Sequence, residues 1–195
     1  RAMGSYEGNI CYCIEPGVSQ QTGNSFMKKG EDFWDYYPSF YNSTISPDDI
    51  KLFIGRIFQY GYTGTISTSW RSQNEGGDKL AHAVATQLLI WETVVGERDA
   101  DFGKVSTGGK NAITEQICTS HPLYSQIMSY CDSIAASVQK HSKVPSFFSK
   151  SAGKAQNIEL AWDGEKYTAT LTDTNNVLSD YLFSASVPGI RFSVN

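Results

Sequence analysis

Among the residues whose types could do chemistry are the thiol of Cys13 near the N-terminus and the carboxamide of Gln87 within an apolar helical pattern. Gln87 follows Val84 by three residues and precedes Trp91 by four, which places it on an inward-facing stripe. A buried amide must find partners, because leaving it unpaired costs about 1–3 kcal/mol. In the ordinary case it is a core glutamine bonded to backbone. The chemical alternative joins it to Cys13. A thiol held against a carboxamide carbon displaces ammonia and forms an internal thioester. That reaction requires a positioned sulfur, a polarised carbonyl and exclusion of water. The product is a stored acyl electrophile that an amine can attack, with the cysteine thiolate leaving. Cys11 lies two residues before Cys13, and residues two apart on a strand share a face, so Cys11 competes for the same amide.

The elements that must position these groups follow from local pattern. Asn9 to Glu15 reads as a strand, with Ile10, Tyr12 and Ile14 alternating with Cys11 and Cys13, and Pro16-Gly17 ends it. Ser46-Pro47-Asp48-Asp49 starts a helix with a cap, a first-turn proline and two acids at its positive end. Its stripe is Ile50, Phe53, Ile54, Ile57 and Phe58, and Gly61 or Gly64 stops it. Asp78 caps a second helix that runs to about Val95, with Gly96 as its stop. A third helix is predicted from Pro122 to about Lys140, with Ser120 as its cap and Leu123, Ile127, Tyr130, Cys131, Ile134 and Val138 inward. Beyond Pro145 the pattern turns to β. Residues 158–162 and 167–172 alternate around an Asp163-Gly164 turn, and 177–186 and 190–194 are further strand candidates.

This order predicts an α+β fold. A β-sandwich-like sheet region, made of the N-terminal strand plus the C-terminal strands, carries an inserted helical subdomain. The helical part spans about 46–142 and the β region about 6–45 and 146–195, all within one domain over 6–195. Arg1 to Ser5 reads as an expression scar and is set apart from the fold. The aromatic run Phe33–Tyr37 reads as part of a packed surface loop.

Composition removes several function classes. A net charge of −4 over 195 residues lacks the basic stripe that grips nucleic acid. No apolar run reaches the roughly 18 residues of a membrane span. Cys11-Tyr12-Cys13 lacks the spacer of a zinc or redox knuckle, and His82, His121 and His141 show no ligand spacing, so neither a metal nor a cofactor is expected. The phosphate-loop and GxSxG signatures are missing. Cys118 and Cys131 can in principle pair, but Cys131 reads more simply as a small buried apolar residue on its helix.

Tyr12-Cys13-Ile14 and the later Thr86-Gln87-Leu88-Leu89-Ile90-Trp91 resemble the thioester domains of Gram-positive surface adhesins and pilus-tip proteins. Order, separation and domain size agree with that family over nearly the whole chain. The resemblance selects Cys13 over Cys11, since Cys13 sits in the Tyr-Cys-apolar triplet just before Glu15-Pro16-Gly17, although Cys11 fits a relaxed triplet. It implies a Cys13–Gln87 thioester attacked once by an amine, expected to be a lysine of a host surface or extracellular-matrix protein, leaving an amide bond. Such a module is a single-turnover covalent adhesin rather than an enzyme. It is expected to be monomeric, secreted and held at the bacterial cell wall through the rest of its parent protein. The supporting roles are an orienting Thr86, a shielding Tyr12 and Trp91, and a general base in His82 or Glu15. Each also has an ordinary reading: helix surface for Thr86, core packing for Tyr12 and Trp91, a solvated side chain for His82 and Glu15.

Two other classes stand beside it. One is a cysteine hydrolase or acyltransferase that uses Cys13 with a histidine, which needs a histidine in hydrogen-bond reach of the sulfur. The other is a non-covalent binding module that presents Phe33–Tyr37.

Overall fold

The computed structural model describes residues 3–18, 45–65, 77–106, 112–148 and 157–194. The aromatic run Phe33–Tyr37 lies outside them. The chain divides into two compact units, Arg1–His141 and Ser142–Asn195. Among the described residues, three α-helices and two small sheets give a mixed α and β content.

The first unit opens with a hairpin. Strand β1 (Met3–Tyr6) pairs antiparallel with β2 (Asn9–Tyr12), with Gly4 opposite Cys11 and Met3 opposite Tyr12. Glu7 and Gly8 join them with φ of 51° and 82°, the left-handed pair that a two-residue turn needs to match strand twist. Part of the segment read as a scar therefore forms ladder bonds, which need only backbone. The expected strand over 9–15 stops at Tyr12, so Cys13 lies just beyond the ladder.

Helix α1 (Pro47–Tyr60) starts where its caps place it. Ser46 Oγ accepts from the Asp49 N–H at 3.1 Å, and Ile50, Phe53, Ile54 and Ile57 are buried. Phe58, expected on the same stripe, stays 39% exposed and meets the Tyr12 ring at 5.8 Å. Helix α2 (Gly77–Val95) is buried nearly all round from Ala81 to Val94, the mark of a central helix, and ends at Gly96 with φ 86°. Asp78 sits inside its first turn rather than at the cap. Its carboxylate instead receives Tyr130 Oη at 2.7 Å and Gln126 Nε2 at 2.8 Å. Helix α3 (Tyr124–Ser142) begins two residues later than expected, because turns occupy 119–123. Its residues Ile127, Cys131, Ile134 and Val138 close one core with α1 and α2. Cys131 is a free thiol, as are Cys11, Cys13 and Cys118. Burial pushes the Cys131 thiol up to about 12, so it is an inert packing residue.

In the second unit, β3 (Ala161–Trp162) pairs with β4 (Tyr167–Thr168). The turn is longer than the two residues expected. Asp163 Oδ1 accepts from the N–H groups of Glu165 and Lys166 at 3.0 and 2.9 Å, and so stabilises a four-residue loop. The 177–186 candidate contains a short 3-10 turn, Leu178–Asp180, and 190–194 forms no ladder. Among the described residues the β content is thus two separate two-stranded sheets.

Asp173 organises this second unit. Its carboxylate accepts from the N–H groups of Ser146 (2.8 Å), Asn175 (2.9 Å) and Val177 (2.8 Å). Burial raises its pKa, but the bonds from Val177, Ser146 and Asn175 outweigh that and hold it below the usual aspartate value. A depressed carboxylate contributes stability above its unfolded pKa, about 3.9, and loses it as pH falls through the folded value. The amide resonances of Ser146, Asn175 and Val177 should therefore titrate together with a midpoint under about 3.9. A midpoint above it contradicts the account. Asp173→Ala should abolish the coupled titration.

Candidate functional site

The end of β2 and the middle of α2 bring Cys13 and Gln87 together. Gln87 is 2% exposed, so its carboxamide must be satisfied internally. It is satisfied by the backbone of a single residue. Gln87 Oε1 accepts from the Cys13 N–H at 2.8 Å, and Gln87 Nε2 donates to the Cys13 carbonyl at 2.7 Å. This two-point pairing defines which way the amide faces, since each of its ends has a partner of only one kind. The Cys13 thiol donates to the Glu15 carbonyl at 3.2 Å.

The pairing is chemically directional. An N–H aimed at Oε1 withdraws charge from the side-chain carbonyl, and it is the donor that a tetrahedral intermediate needs on its oxygen. The Cys13 carbonyl accepts from Nε2 and so fixes the amide nitrogen in place. The thiol and both backbone partners of the carboxamide belong to one residue, Cys13. Cys11, by contrast, lies in the ladder and is exposed.

The remaining expected residues are placed as follows. Thr86 is fully buried rather than on the helix surface. Its Oγ1 donates to the His82 carbonyl at 2.8 Å and accepts from the Tyr62 N–H at 2.9 Å. Tyr12 is half-buried, and its hydroxyl donates to the Tyr62 carbonyl. Desolvation raises its pKa far beyond any physiological pH, so it stays a neutral donor. Trp91 is half-buried against the core, and its indole N–H is buried with no acceptor among the described residues. His82 stacks flat on Tyr130, 4.4 Å between centroids, and its Nε2 bonds the Tyr60 carbonyl at 3.3 Å. His121 and His141 each engage a ring nitrogen elsewhere, with the Leu123 N–H and the Tyr60 hydroxyl. Glu15 meets Cys13 through its backbone carbonyl.

Gly61 and Tyr62 belong to this site and had no functional signal in the sequence. Gly61 read only as a possible helix stop. Nothing in its local pattern indicates that Thr86 would occupy the space beside it.

A helix-centred α+β unit with a buried carboxamide clasped to a cysteine backbone is the class that fold and site define. A thioester domain family model matches residues 10–140, more than half of the chain, and the chain belongs to that family. It is therefore an adhesin-type module of the covalent thioester kind, and thioester domains occur in surface adhesins. No curated protein and no solved structure matches the chain.

Proposed function

We propose that this domain fixes a bacterium to its host through an internal thioester between Cys13 and Gln87, which a lysine of a host surface or matrix protein opens. The observation that carries the reading is the two-point pairing of the Gln87 carboxamide with the Cys13 backbone. In the forming step Cys13 Sγ bonds to Gln87 Cδ, the Cδ–Nε2 bond breaks, and nitrogen leaves as ammonia with the thiol proton. In the adhesion step the amine nitrogen bonds to Cδ, the Cδ–Sγ bond breaks, and a proton passes from the amine to the thiolate. The target keeps an amide and Cys13 recovers its thiol. Because the acyl group is consumed, each domain acts once.

Thr86 and Tyr12 orient the site in this reading, and Trp91 shields it. His82 remains a candidate base for the amine. The module works as a monomer at the cell wall or on a pilus, carried there by the rest of its parent protein. Residues 6–195 form one domain whose C-terminal strands belong to a β-sandwich-like region. The exposed apolar side chains of Ile158, Leu160 and Trp162 at alternate positions support that last point.

Intact mass tests the proposal. The native chain should weigh one ammonia less than its sequence requires and gain one methylamine on treatment. Glutamate at position 87 in a peptide map reports a thioester that formed and then hydrolysed. An unmodified Gln87 at full mass, unreactive to methylamine, overturns the reading.

A further inference from the structure

The residues immediately preceding the two crosslinking residues converge on one peptide. Tyr12 precedes Cys13, and its hydroxyl donates to the Tyr62 carbonyl. Thr86 precedes Gln87, and its Oγ1 accepts from the Tyr62 N–H at 2.9 Å. The same segment runs beside the hairpin, with the Ile10 N–H donating to the Gly64 carbonyl at 3.3 Å and Asn9 bridging Thr65. It leaves α1 through Gly61, whose N–H bonds the Ile57 carbonyl at 2.7 Å. A side chain at Gly61 has no room. Its Cβ would lie 2.6 Å from Thr86 Oγ1, 2.7 Å from Thr86 Cγ2 and 2.6 Å from the Ile57 carbonyl oxygen.

We propose that the Tyr62 backbone, gripped by the Tyr12 and Thr86 hydroxyls in a space that only Gly61 leaves open, sets the register in which Cys13 meets Gln87. The inference rests on the thioester reading and names its positioning residues. Without the grip, the chain at Cys13 can shift against Gln87. A slip of one residue would present the backbone of Tyr12 or Ile14 to the carboxamide and carry the Cys13 sulfur away from it. Intramolecular acyl transfer loses about 100-fold for a misplacement near 1 Å, so formation of the link is far more sensitive to this register than folding is.

Thr86→Val keeps the shape and deletes the oxygen, whereas Thr86→Ser keeps the oxygen. In the folded fraction of freshly expressed protein, the share of chains one ammonia light should fall at least tenfold in T86V. It should return to near the wild-type share in T86S, and Gly61→Ala should behave as T86V does. Unfolding midpoints of the same substitutions, measured in a Cys13→Ala background, separate stability from chemistry. If T86V lowers the midpoint while its folded fraction carries the link as fully as wild type, the inference is overturned alone. If wild type itself shows full mass and an unmodified Gln87, the thioester reading falls and this inference with it. Should T86V not fold, Tyr12→Phe removes the other hydroxyl, and a wild-type share of linked chains in that variant overturns the proposal.

Discussion

Cys13→Ala abolishes the loss of ammonia and leaves the fold nearly unchanged. The clasp on Gln87 uses the N–H and carbonyl of residue 13, which alanine retains, so the carboxamide keeps both partners. Among the non-covalent contacts, only the bond from the sulfur to the Glu15 carbonyl is lost, and with the sulfur goes the cross-link to Gln87. Relative to the linked wild type, stability should fall by about 4 kcal/mol, the order expected when a cross-link between residues 74 apart is removed. Gln87→Ala differs in kind. It removes the electrophilic carbon and strips both backbone groups of their partner, at about 1–3 kcal/mol for each group left buried and unpaired. Cys11→Ala should keep the mass shift, because Cys11 is exposed in the ladder. Intact mass and urea unfolding of the three variants check this together. A shift that survives Cys13→Ala and disappears in Cys11→Ala reassigns the nucleophile.

Arg98→Met is expected to destabilise the first unit by about 3 kcal/mol, the lower end of the range for breaking a buried ion pair. Glu92 is 1% exposed on α2, and Arg98 is 7% exposed. Arg98 Nε donates to Glu92 Oε2 at 2.8 Å, its Nη2 donates to the same oxygen, and Nη1 reaches the Phe102 carbonyl at 3.2 Å. The guanidinium also lies over the Phe102 ring, 4.9 Å from its centroid. Removing Arg98 leaves a carboxylate inside the core with Lys104, 3.1 Å from Oε1 but half-exposed, as its remaining cation. That residual partner is why the lower figure applies. The double variant Glu92→Met/Arg98→Met should recover most of the loss, since the penalty comes from the uncompensated charge. Chemical denaturation of the single and double variants decides it. A single variant within about 1 kcal/mol of wild type, as for an exposed pair, contradicts the account. The pair matters to the site because it ties the end of the helix that carries Gln87 to the loop that follows.

Helix starts and stops were legible where the signal is local. Ser46 with Pro47 and Asp49 encodes the start of α1, and Gly96 encodes the end of α2, because capping bonds and left-handed φ depend on neighbours in sequence. Local signals misled where a distant side chain competed. Asp78 looked like a cap, but Tyr130 and Gln126 claim its carboxylate. Thr86 looked like helix surface, but α2 is enclosed by elements that its own periodicity does not reveal. In the second unit, alternation alone did not yield the expected four strands, because a ladder also requires a partner edge in register.

By itself the sequence determined the family and the helical frame, since these depend on residue identity and on spacing within a turn or two, and the family resemblance pointed to Cys13 and Gln87. The tertiary structure alone decided that one peptide, at Tyr62, is held by the neighbours of both Cys13 and Gln87, and that Gly61 must lack a side chain. Those facts come from contacts between segments far apart in the chain, where the energy depends on which surfaces meet.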